Sequence, residues 1–299
     1  MPSWRTAVAN FAIRWGRRQR PYESARLQRL TIWVIPLSFA DATQQQQAGT
    51  DMTAVTIDDV IHDLSSIIDA SWQQNSRLGF FPAMYRKVTV RIKEGVENGR
   101  FQNPPLMEHL DVVFANRYIE AYWQYRQGQQ PTRAWAYTFD RAQDPHPSVL
   151  HHLLLGMNAH INLDLGIAAA QVCHDCPLDN LQSDFFAVNQ VLAGLLDEVQ
   201  EGVNQSSRLF RLVDSLGGQA DETLGNFSLR RARQSAWEKA QALHPLPLEA
   251  YPTLINHYDR ATLRLAQLIC PPVSISQVFT AVASPARLPE PRDIIDTLV

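Results

Sequence analysis

The side chains best suited to chemistry lie within residues 147–171. His152, Gly156, His160 and Asp164 follow one another at four-residue intervals, which on an α-helix sets them along one face, a turn apart. An imidazole and a carboxylate in that register can share a divalent metal ion, or the carboxylate can orient the imidazole for proton transfer. His151, Asn158 and Asn162 fall on a second line of the same helix. The apolar residues between them, from Leu150 to Ile167, point in nearly every direction, as they do on a helix buried all round. A buried polar group without a partner costs on the order of 1–3 kcal/mol, so other elements must face these groups.

Two further stretches offer partners. In 105–127 the residues Glu108, His109, Asn116, Arg117, Glu120 and Gln124 form a wet arc. The opposite arc holds Met107, Phe114, Ala115, Tyr118 and Tyr122, with Asp111 at its centre. A carboxylate there needs a cation, a metal or hydrogen-bond donors. In 228–243 the sign reverses, because Arg233 points into a dry face of Leu229, Ala236, Trp237, Ala240 and Leu243. Asp111, Asp164 and Arg233 together predict an internal ion-pair network.

Two functions fit this pattern. In the first, the chain is a metal-dependent hydrolase or small-molecule-modifying enzyme with His160, Asp164 and Asp111 as its catalytic set. His160 is a ligand or general base, and Asp164 orients it or shares the ion. Arg233 binds an anionic group, Tyr118 and Tyr122 shape the cavity, and Asn158 and Asn162 add substrate contacts. His152, His160 and Asp164 are then the metal set, with an open position for water. The spacing names no cofactor beyond that candidate divalent ion. In the second, the chain is a non-catalytic binding or interaction protein whose polar core fixes helix register. A closed interior with every polar group paired favours the second function, and an open pocket at His160 with an unpaired nitrogen favours the first.

The elements that must position these groups read as helices over 56–72, 82–97, 105–127, 147–171, 184–200, 205–216, 228–243 and 251–270, with Gly and Pro between them. Asp184 and Ser228 sit where N-caps are expected. The stretch Trp135–Phe139 reads as a loop or short helix packing aromatics, and His257–Arg260 as mostly surface. The fold expected is all-α, an irregular bundle of about eight helices around the buried helix 147–171. The domain expected spans 53–270. Before it come a basic arm and polar linker (1–52), and after it a Pro-rich tail (271–299), extended and loosely attached.

Composition excludes several classes. The net charge of −3 gives no electrostatic case for nucleic acid. Residues 1–30 nonetheless hold seven arginines against Glu23, while the rest of the chain carries 20 basic and 29 acidic residues. Such an arm is a solvated extension or a peripheral membrane contact. No stretch reads as a membrane span, so a cytoplasmic location is expected. Cys173 and Cys176 have metal or redox spacing, but Cys270 is the only other cysteine, so no second pair exists. There is no Glu-x-x-His pair, serine elbow, phosphate loop, dinucleotide fingerprint or zincin motif.

Several strings resemble a bacterial family catalogued as a domain of unknown function: Met84–Thr89, Leu110–Tyr118, Trp135 with Phe139, Gly156–Leu165 and Ala232–Trp237. The segment Asn158-Ala159-His160-Ile161-Asn162-Leu163-Asp164 is the most specific of them, and the likeness runs over residues 56–270. It implies an all-α body and transfers no reaction. A fold-level likeness to helical zinc phospholipases C and single-strand nucleases rests on the His-x-x-x-Asp pair. This sequence lacks their N-terminal tryptophan ligand and further histidine pairs, which counts against a trinuclear zinc site.

Overall fold

The structure, a computed structural model, describes residues 53–203, 229–272 and 290–299. Among these residues it contains helices and no strand, so the fold is all-α. The basic arm and linker, the helix expected at 205–216, the Ser228 cap and residues 273–289 lie outside the described residues.

Helix α1 (Ile57–Gln73) starts at a reciprocal cap, with Asp59 N donating to Thr56 Oγ1 at 3.1 Å and Thr56 N to Asp59 Oδ2 at 2.8 Å. A tight turn, Arg77–Gly79, leads into α2 (Phe80–Glu97). Helix α3 (Pro104–Arg126) follows the Asn103 cap, with Pro104 in the first turn, where its missing N–H costs nothing. The aromatic stretch around Trp135 is a true helix, α4 (Arg133–Ala142). Then come α5 (Val149–Ala159), α6 (Leu165–Val172), α7 (Asp179–Val203), α8 (Leu229–Leu243), α9 (Tyr251–Ile269) and α10 (Pro291–Leu298).

α5 and α6 form one rod, Val149–Val172, and residues 160–164 between them are π-helical, with Leu165 N donating to His160 O. The rod packs against α2, α4 and α9 at one end and against α3 and α8 at the other. It is long and apolar enough to cross a membrane by length and composition, and most of it is buried within the protein. Two glycines set how closely its neighbours approach. A Cβ on Gly166 would lie 2.5 Å from the Ala236 carbonyl oxygen of α8, and one on Gly156 would lie 2.3 Å from the Phe81 ring of α2.

Three expectations about peripheral residues are corrected. Asp184 caps no helix of its own, since α7 already begins at Asp179. It is buried, and its two oxygens accept from Gln102 N and Asn103 N, both at 2.7 Å, at the start of α3. Asp259 is buried rather than on the surface. It accepts from Arg133 N at 3.0 Å and Ala134 N at 2.9 Å, which supplies the cap that Thr132 does not give α4. The end of the chain is not loose: Ile294, Ile295 and Leu298 of α10 are buried against Ile68, Phe80 and Ala83. Asn75 ties that helix down by donating to Glu290 and accepting from Arg292 N.

Candidate functional site

The π-helical segment carries both His160 and Asp164. Its extra residue per turn shifts the helix face, and the two side chains, four residues apart, still meet. His160 Nδ1 lies 3.8 Å from Asp164 Oδ2, an electrostatic contact beyond hydrogen-bond length. Asp164 is 1% exposed. Its oxygens are taken by two donors from neighbouring helices, Arg117 Nε of α3 at 2.9 Å and Trp135 Nε1 of α4 at 2.7 Å.

His160 is 3% exposed, and neither of its ring nitrogens has a hydrogen-bond partner. Aromatic rings surround it. Phe114 stacks on it at 3.5 Å between centroids, Tyr85 stands edge-on at 4.4 Å, and Phe81, Tyr118 and Trp135 complete the cage. Burial pushes its pKa down and Asp164 opposes that, with a net lowering; the imidazole is therefore neutral near pH 7. The hydroxyls of Tyr85 and Tyr118 are also buried without a partner. Native interiors pair nearly all such groups, so several orphans around one histidine mark a place where a water or ligand is expected.

The expected ion-pair network forms from a different arginine. Arg233 does not meet Asp111 or Asp164 but donates to the Phe185 carbonyl and lies over the Phe185 ring, 4.7 Å from its centroid. Burial pushes its pKa down to about 10. Arg117, placed on the wet arc by the helical wheel, has 21% of its side chain exposed and turns inward to Asp164. It sits three residues after Phe114, on the margin between the two arcs, and its stem is long enough to reach across. Asp111 is buried as expected, but its Oδ2 has no hydrogen-bond partner. Burial first, then Glu108, holds its carboxyl up at about 7.

The residues of the expected metal set are not all brought together. Among the described residues no group of three His, Cys, Asp or Glu side chains could hold a metal ion. His152 lies eight residues before His160, which along a helix is roughly 12 Å. It packs edge-on to Phe80 instead and borders a cavity with Arg77, Phe81, Tyr118 and Trp135. Burial pushes its pKa down to about 3. Asn158 and Asn162 pair with each other, and Asn158 also donates to the Thr262 carbonyl of α9 at 3.0 Å, on a face that fastens the rod to its neighbour. Tyr122 is buried, with Trp123 and Phe139 edge-on to its ring, and its pKa is raised by burial. Cys173 and Cys176 are free thiols, and burial pushes Cys173 up to about 12, far from thiolate chemistry at neutral pH.

Arg117, Tyr85 and Trp135 belong to the site, although helical spacing alone did not single them out. All three lie inside the strings that carried the family likeness, which was the available signal. A family model described as a family of unknown function (DUF5995) matches residues 57–272. No curated protein and no solved structure matches.

Proposed function

We propose, for a chain that belongs to the family of unknown function DUF5995, that it is an enzyme acting on a small molecule by acid–base chemistry at His160. The observation that supports this reading is the buried, neutral imidazole with two unpartnered nitrogens beside a carboxylate already held by Arg117 and Trp135. A neutral imidazole can take a proton from a substrate hydroxyl or from water. The resulting imidazolium is stabilised by Asp164, 3.8 Å from Nδ1, and can return the proton to a leaving group. Arg117 and Trp135 keep Asp164 aimed during that exchange. Among the described residues no three-ligand group is gathered, so no step is routed through a metal. Phe114 is the only ring of the cage that is partly exposed. In this reading a substrate reaches His160 past that ring.

One observation favours the second reading, a polar core that only fixes register: the site is closed, with His160 almost fully covered. A panel of ester, amide and phosphate-ester substrates, run on wild type and on a folded His160→Gln variant, separates the two. Turnover lost in the variant supports the enzyme. No turnover across the panel, together with an imidazole NMR signal that neither titrates nor responds to any small molecule, leaves the structural reading standing. Elemental analysis of untagged protein is expected to find no stoichiometric metal, and a stoichiometric ion lost in His160→Ala would overturn the metal-free scheme.

A further inference from the structure

Three of the rings that enclose His160, namely Phe81, Tyr118 and Trp135, also line a cavity that His160 itself does not border. Its other walls include Arg77, His152 and the apolar residues Leu78, Phe139 and Ala142. His152 is 5% exposed and its Nε2 has no partner; Tyr118 is 1% exposed and its hydroxyl has none either. Arg77, on the turn between α1 and α2, is partly exposed and forms no ion pair among the described residues. One guanidinium, one neutral imidazole and one phenol converging on an apolar cavity match the recognition chemistry of an anion attached to an apolar body.

We propose that this cavity is the subsite for the charged end of a small organic anion, a carboxylate or a phosphate monoester, with Arg77 taking the charge and His152 and Tyr118 donating to its inner oxygen. The room available, about 20 Å³, suits one water-sized group. That is one oxygen of the anion, and the rest of the ligand lies outside the cavity. Tyr118 stands in both walls, so the subsite and His160 lie on two sides of one ring. In naming a substrate class the proposal rests on the reading of His160 as the reacting group, but binding is measured apart from turnover.

The test is calorimetric titration of the full chain with benzoate and with phenyl phosphate, with phenol and inorganic phosphate as controls. At least one of the two organic anions is expected to bind. Arg77→Gln, a change at a partly exposed turn, is expected to weaken it about tenfold or more, since a hydrogen bond to a charged group is worth roughly 1.5–3 kcal/mol. Whichever anion binds tells carboxylate from phosphate. Phenol binding as tightly as the anions, inorganic phosphate binding as tightly as phenyl phosphate, an Arg77→Gln variant that binds like wild type, or no anion binding at millimolar concentration would each overturn the subsite. His160→Gln should bind the anion as wild type does. If it does, and the substrate panel nevertheless shows no turnover, the subsite stands and the His160 chemistry falls. Turnover that depends on His160 but not on Arg77 means the opposite: the chemistry stands and the subsite falls.

Discussion

The first turn of α4 serves two buried carboxylates in different ways. Arg133 N and Ala134 N donate to Asp259, and the next residue, Trp135, donates through its indole to Asp164. At Asp259 nothing is left over: two backbone N–H groups and the Arg133 guanidinium use the carboxylate, and the helix start gains the cap its own sequence lacks. At Asp164 the carboxylate is equally well held, yet the histidine beside it has no hydrogen-bond partner. Burial and charge are the same in both places, so they do not mark function. The difference lies in donors and acceptors left unused after the fold has taken what it needs.

The largest expected effect tests whether Asp164 is as structural as Asp259. Asp164→Ala would strand the Arg117 guanidinium and the Trp135 N–H, and breaking a buried pair in this way costs about 3–5 kcal/mol. Asp259→Ala leaves two backbone N–H groups uncapped and should cost about 2–3 kcal/mol. Urea unfolding of both variants checks the order. An Asp164 variant that lost less than the Asp259 variant would mean that its ion pair does little for the fold.

A third carboxylate extends the contrast. Burial holds Asp111 up at about 7, against about 3.9 in an unfolded chain. A raised folded-state pKa means the folded chain binds that proton more tightly. The resulting stabilisation is therefore complete below about pH 4 and is lost as pH rises through about 7. Wild type should lose on the order of 2–4 kcal/mol relative to Asp111→Asn between pH 4 and 8. The difference between the two melting curves isolates this residue from every other titrating group. Parallel curves would show that Asp111 has a charged partner in solution.

Much of this was legible in the chain. The uniform apolar surround of 147–171 identified the central rod, because only a helix packed on all sides can carry leucine in every direction. The buried positions of Asp111, His152, His160, Asp164 and Arg233 followed from the same wheel geometry. What did not follow was who faces whom. A π-helical insertion at His160–Asp164 changes the angular phase by an amount no local propensity signals. Arg117 looked wet because the wheel places its Cα at the border of two arcs, while its long side chain decides the side. Asp184 and Asp259 cap helices 80 or more residues away in sequence, a pairing that exists only once the helices have docked.

The smallest effect on stability is the most informative. In His160→Phe a flat ring one member larger replaces the imidazole, and two nitrogens that have no hydrogen-bond partner in the cage are lost. If those nitrogens are held in reserve for a ligand, the fold loses nothing and sheds the cost of burying them. Stability should then be unchanged or higher by up to about 1 kcal/mol, while any turnover dependent on His160 disappears. Stability gained where activity is lost is the signature of a site that folding does not need. A loss of about 2 kcal/mol or more that the smaller His160→Leu shares, and that overpacking by the larger ring therefore does not explain, would instead show that the imidazole pairs with ordered water inside the cage. His160 would then join Asp259 among the groups the fold itself consumes. Thermal melts of His160→Phe beside Asp259→Ala, at a pH where both histidine and aspartate charges are settled, read the two outcomes directly.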